Sequence, residues 1–243
     1  MTRHLVTSGL IAGFIVASLA TVLQFAFLER NILLAERYET GELSHFAASP
    51  DHEHGATKAA PKAASEQDHD AHSHVQDNRP FWLRQINTAL TMTLTYCGYG
   101  LVMVAGMAIT RHFGKTIGGA EALLWGLAGF AAFSMAPALG LEPALPGMAA
   151  ADLVDRQTWW LGCAVATVAG LGMLAYGVGI GARMAGIVIM ALPHVIGAPH
   201  LDAFFGVVPP ELAARHAAGS LGVGLVAWLT LGGLCRWLLD RTA

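Results

Sequence analysis

The strongest constraint on this chain is a set of apolar runs long enough to cross a lipid bilayer. A helix through roughly 30 Å of hydrocarbon takes about 20 mostly apolar residues, because no water is present there to satisfy backbone donors and acceptors. Residues 5–28, 86–109, 120–140, 158–180 and 217–239 meet that requirement, and none carries an acidic residue in its middle. Composition agrees: 13% of residues are charged and mean hydropathy is +0.51, whereas ordinary soluble chains carry about 25% charged residues. The expected fold is all-α, a polytopic transmembrane helical bundle forming a single domain over residues 1–243 and partnered by the lipid bilayer. A net charge of −3 offers no clustered basic footprint, which sets nucleic-acid binding aside.

A sixth segment, 184–201, is apolar but short, and Pro193, Gly197 and Pro199 interrupt it. Lys and Arg of short loops stay cytoplasmic. Arg3, Arg111, Lys115, Arg183, Arg236 and Arg241 all fall on that side only if 184–201 also crosses, giving six spans with both termini inside. A re-entrant 184–201 would leave five. Six spans put the loop at 44–79 and the acidic loop at 141–157 outside. The first run follows Arg3 and His4 and contains Ser18-Leu19-Ala20, like a signal peptide, but it continues past the 7–15 apolar residues of an h-region, so it is read as a retained span. Gly9 with Gly13 and Gly177 with Gly181 have the spacing that lets helices approach closely. Cys97, Cys163 and Cys235 lie far apart inside apolar stretches and read as small buried hydrophobes, soft metal ligation by Cys97 or Cys163 being the lesser reading.

Chemistry concentrates in the first loop. Between residues 44 and 79 apolar side chains other than Ala nearly vanish, a composition expected to stay disordered without a ligand. Two clusters stand there, Asp51-His52-Glu53-His54 and Asp68-His69-Asp70-Ala71-His72-Ser73-His74. Imidazole suits borderline divalent metals, and neighbouring carboxylates help neutralise a dication. His52, His54, His69, His72 and His74 are therefore expected to capture such an ion, with modest affinity because the loop must be ordered around it. A plain solvated spacer, or a linker titrating near neutrality, is the alternative.

The run Ala191-Leu192-Pro193-His194-Val195-Ile196-Gly197-Ala198-Pro199-His200-Leu201-Asp202 places a histidine within an apolar stretch beside prolines that remove backbone donors. Intramembrane ionisable groups are functional hypotheses by default. His194 is thus a candidate for an ion pathway, with His200, Asp202 and Glu211 at its outer mouth; a neutral histidine bonded at a helix kink is the alternative. Beyond the first span, Glu29 and Glu36 share a helical face seven residues apart, with Glu39 and Tyr38 close by and Arg30 and Arg37 repeating the interval. They read as an ion-paired interfacial helix or as a carboxylate relay. Gly114-Lys115-Thr116 lacks the first glycine and the strand of a phosphate loop. A haem protein would want paired histidines near helix centres, whereas His112 and His216 fall at span ends. No enzyme chemistry and no organic cofactor is expected.

These features together resemble the CbtA family of proposed cobalt transporter subunits. The resemblance lies in Glu29, Ala35-Glu36 and Tyr38-Glu39 after span one, the His-rich loop, Leu192-Pro193-His194-Val195-Ile196-Gly197-Ala198-Pro199, and Val208-Pro209 with Leu212. It implies a multi-pass protein of the bacterial cytoplasmic membrane, linked to cobalt supply for corrin synthesis and paired with a small His-bearing one-span subunit, CbtB. It implies function at His194, Glu29, Glu36 and Glu39, while His200 follows from spacing alone. The expected function is uptake of a divalent transition metal, Co2+ ahead of Ni2+ or Zn2+, by this chain or a complex containing it. A metal-binding or sensing subunit without its own pore is the alternative, a scaffold with a spacer loop is a third reading, and a homo-oligomer is left open.

Overall fold

A computed structural model of the chain describes residues 2–45, 80–202 and 206–241. Six helices among them are long and apolar enough to cross a membrane. The first crossing is α1 (Thr2–Leu23), continued through a π-helical turn at Gln24–Leu28 into α2 (Glu29–Glu39). It is followed by α3 (Phe81–His112). The third combines α4 (Gly119–Phe130), a second π-turn at Ala131–Met135, and the single turn α5 (Ala136–Ala138). The last three are α6 (Leu153–Tyr176), α7 (Gly179–Ile196) and α8 (Pro210–Arg241). No strand occurs among the described residues, where one isolated bridge pairs Met148 with Gly206. The molecule is the all-helical, six-crossing bundle expected from its apolar runs.

Local chemistry sets several boundaries. Asp152 caps α6 by accepting hydrogen bonds from the Val154 and Asp155 N–H groups at 2.8 and 3.3 Å, satisfying donors that a helix start leaves free. Pro193 sits in the last turn of α7, where it removes one backbone donor without ending the helix. The end comes at Gly197, whose φ of +89° few other residues adopt. Pro210 opens α8 at its first position, where a missing N–H costs nothing.

The interior forms around α1, α3, α4 and α8. Val16, Met107, Leu231 and Trp228 are among its buried side chains. With lipid rather than water outside, apolar burial drives helices together weakly, and close backbone approach matters more. A Cβ on Gly13 would lie 2.5 Å from the Tyr96 carbonyl oxygen, and one on Gly232 would lie 2.3 Å from that of Ala122. The Gly9–Gly13 spacing thus serves the α1–α3 contact. At Gly177 the neighbours are Met173 and Ala182 of the adjoining helix ends, and Gly181 meets nothing within 4 Å; the α6–α7 approach uses Gly170 and Gly186 instead. Helix α7 packs on α6 and leaves Ile180, Val188, Val195 and Ile196 exposed.

At the end of the bundle holding the termini, Arg111 and Arg236 both reach Asp240, and Arg236 Nε donates to the Ile117 carbonyl at 2.8 Å. At the other end, Ala35, Leu145 and Leu212 form a small buried cluster tying α2, the 139–152 connection and α8. His45, beyond the end of α2, and Pro80, ahead of α3, lie on the same side of the bundle as this second end.

Candidate functional site

Two connections, 139–152 and 197–209, meet the start of α8 and His45 around a cleft of about 660 Å3. His45, Glu142, Arg156 and His200 bring its charged and imidazole groups, while alanines and glycines form much of the remaining wall. Glycine and proline at 197 and 199 keep this stretch out of helix, so His200 is carried on irregular chain beside Arg156 of α6. Asp202 and Glu211 are exposed nearby but do not line the cleft.

His194 stands on the last turn of α7. Its Nε2 lies 3.8 Å from the Sγ of buried Cys163 on α6, and its ring meets Trp159 edge-on with centroids 5.9 Å apart. The Trp159 Nε1–H donates to the Pro193 carbonyl at 3.1 Å. The proline therefore does not simply leave a backbone oxygen open; an indole fastens it and orients the imidazole alongside. One nitrogen and one sulfur donor are brought together here, on a histidine that is otherwise exposed.

The three glutamates beyond α1 have different surroundings. Glu36 receives both guanidinium nitrogens of Arg84 on α3, and Glu29 accepts from Gln85 Nε2 at 2.7 Å. Arg37 pairs with Glu42 rather than with a neighbour on its own helix face. The Cβ of Glu39, an exposed residue, lies beside Gly147, whose φ of +78° bends the 139–152 connection over the end of α2. Glu29 and Glu36 thus share one face as their spacing requires, and that face is fastened to α3.

His52, His54, His69, His72 and His74 lie outside the described residues. Among the described residues, no group of three or more His, Cys, Asp or Glu is placed to hold a metal ion. Against this geometry, a family model described as a probable cobalt transporter subunit (CbtA) matches residues 2–240. The chain belongs to the CbtA family. No curated protein and no solved structure matches it. CbtA membership together with six apolar helices makes it a multi-pass membrane protein of metal-ion transport.

Sequence reasoning passed over several residues of this CbtA-family chain. His45, Glu142 and Arg156 each stand alone in sequence, and only the fold gathers them with His200. His216 had seemed to lie at a span end, but α8 starts at Pro210, which puts it nearly two turns inside the helix and buries it. The Pro209-Pro210-Glu211 start signal was the clue to that earlier boundary. Cys163 and Cys235 are buried as expected, and Cys97 is half-buried with its thiol 3.7 Å from the Leu10 carbonyl.

Proposed function

We propose that this chain takes up Co2+ across the bacterial cytoplasmic membrane, alone or as the membrane subunit of a complex. The His, Asp and Glu groups of the 44–79 loop capture the ion outside, and the bundle receives it at the cleft. The observation that carries this reading is the position of His45. The His clusters at 51–54 and 68–74 follow it in the same loop, and His45 shares the cleft with His200, so an ion released from the loop meets imidazole at the mouth of the bundle. Asp202 and Glu211, exposed beside the cleft, add negative charge that attracts a dication. Imidazole and oxygen donors suit Co2+, Ni2+ and Zn2+ alike, so preference for Co2+ rests on the family.

The bundle end bearing the termini is taken as cytoplasmic, in line with Arg3, Arg111, Lys115, Arg183, Arg236 and Arg241 there. Arginines occur at the cleft end too, where Arg37 and Arg84 are ion-paired with Glu42 and Glu36. The attachment of Glu29 and Glu36 to α3 supports a fastening role better than an ion relay.

A second reading, a metal-binding subunit whose conducting path is completed by a partner, is favoured by the absence of a three-ligand group among the described residues. Helix α7, held on α6 and otherwise exposed, offers a place for a small His-bearing one-span subunit, with His194 on its surface. Cells producing the chain, given radioactive cobalt, nickel and zinc in parallel, should accumulate cobalt several-fold faster than control cells. Replacing 51–74 by Gly and Ser of equal length should slow uptake at low metal, and equal accumulation with and without the chain would defeat the proposal. Flux in cells but none in proteoliposomes holding this chain alone would select the second reading.

A further inference from the structure

A second cavity, of about 400 Å3, lies within the bundle itself. Both π-turns contribute to its wall, the first through Gln24 and Leu28 and the second through Phe133 and Ser134. Such turns are rare and occur mostly at functional sites, and two of them, on separate crossings, open onto one space. No carboxylate, amine, guanidinium or imidazole is among the described residues that line it, which leaves nothing there to hold an ion. The space is graded along the bundle. On α8 its wall runs from Ser220 to Trp228, about 12 Å at 1.5 Å per residue. At the end nearer the cleft stand Ser220, Gln24 and Leu141, the last of which also lines the cleft. At the deeper end the rings of Tyr99, Phe133 and Trp228 lie together, with centroids 4.6 to 5.5 Å apart.

One side of the cavity is a seam. Helix α3 packs on α1 and α8, and the third crossing packs on α8 and α6. The facing sides of α3 and the third crossing therefore meet through side chains such as Tyr99 and Phe133. Thr95, at the middle of α3, lines the cavity and is exposed, so the space opens sideways at the depth of lipid tails. Neither vacuum nor water suits it. An empty apolar cavity is costly because its walls lose their packing partners. Water needs about three hydrogen bonds per molecule, whereas most of this wall is carbon and Ser220 Oγ already lies 3.4 Å from His216 Nε2. What remains is the hydrocarbon that surrounds the opening.

We propose that the inner cavity holds one acyl chain of a bilayer phospholipid, drawn from the leaflet at the cleft end and entering beside Thr95. Such a chain runs inward from its ester, in the same direction as the polarity of the wall. Its polar start falls beside Gln24 and Ser220, where the Gln24 amide N–H donates to the ester carbonyl. Its methylenes lie against the aromatic rings. Seated there, the chain fills the seam and joins α3 to the third crossing. The site goes beyond the uptake function above and does not depend on it.

The test places the full-length protein in bilayers of phosphatidylcholine brominated midway along its acyl chains, bromine being a contact quencher of indole fluorescence. The emission of Trp228 is read as the difference between each protein and the same protein carrying Trp228→Phe. Trp228 is 3% exposed, beyond reach of lipid outside the bundle, yet its emission should fall at least threefold relative to unbrominated lipid. Gly224 lines the cavity, and a Cβ there lies 3.6 and 3.7 Å from Ser134 and Phe130. Gly224→Leu therefore fills the space and should restore the emission, as should Ser134→Leu. Gly222→Leu, where a Cβ meets nothing within 4 Å, should leave the quenching intact. Monodisperse behaviour in detergent chromatography establishes that each variant is folded. Equal Trp228 emission in brominated and unbrominated lipid overturns the site, and so does undiminished quenching in whichever of Gly224→Leu and Ser134→Leu folds. Quenching by aqueous acrylamide in place of bromine would assign the cavity to water and overturn it as well.

Discussion

Glu36 and Arg84 hold α2 to α3 through a charge pair whose side chains are 28% and 32% exposed. Exposure of that degree leaves the pair worth less than about 1 kcal/mol, so it fastens without dominating. Glu36→Gln should lower the thermal midpoint by a few degrees at most and leave cobalt uptake near wild type, and the double exchange Glu36→Arg with Arg84→Glu should recover the midpoint. A loss of uptake in Glu36→Gln at unchanged stability would restore the relay reading. The shared face of Glu29 and Glu36 was readable from their spacing, because helical geometry fixes it. Their partners were not, since Arg84 lies 48 positions from Glu36 and Gln85 lies 56 from Glu29, beyond any local pattern. The same holds at His194, whose prolines mark it while Cys163 is 31 residues distant. His216 reads as a span-end residue because the apolar window opens one residue after it, whereas the helix starts at Pro210.

At the level of elements, glycine spacing flags helix contacts but does not tell used pairs from idle ones. Gly9 and Gly13 face α3 and Gly181 faces nothing, although both pairs have the same interval. Gly13→Val forces a side chain against backbone atoms that no rotamer change can move aside. Overpacking of this kind costs about 1–3 kcal/mol, so α1 should separate from α3 and the midpoint in detergent should drop clearly, whereas Gly181→Val should stay within about 0.5 kcal/mol of wild type, as surface changes do. Equal midpoints for the two would mean α1 and α3 do not pack through Gly13. The crossings themselves were legible because lipid demands about 20 apolar residues in a row. The π-turns were not, since one extra residue in a turn leaves the apolar run unbroken.

For the whole molecule, alternating crossings place the end of α2, the start of α3, the 139–152 connection and the start of α8 at one end, which the count of apolar runs already implied. Which helices touch was beyond reach of the pattern, and so was the cleft where these connections converge. The crossings also differ in length. Helices α3 and α8 have 32 residues each and α7 has 18; at 1.5 Å per residue these are about 48 Å and about 27 Å. A hydrocarbon layer of roughly 30 Å is easily spanned by the first two and falls just beyond the third. Lipid beside α7 must therefore thin, at a cost of fractions of a kcal/mol per Å. Reconstituted into phosphatidylcholines of increasing acyl length, the protein should lose thermal stability as the layer thickens, and a flat response across the series would show that the short helix is shielded from lipid. Hydrophobic mismatch at one corner would thus tie the working of this bundle to the membrane it inhabits, making acyl composition a control on metal supply.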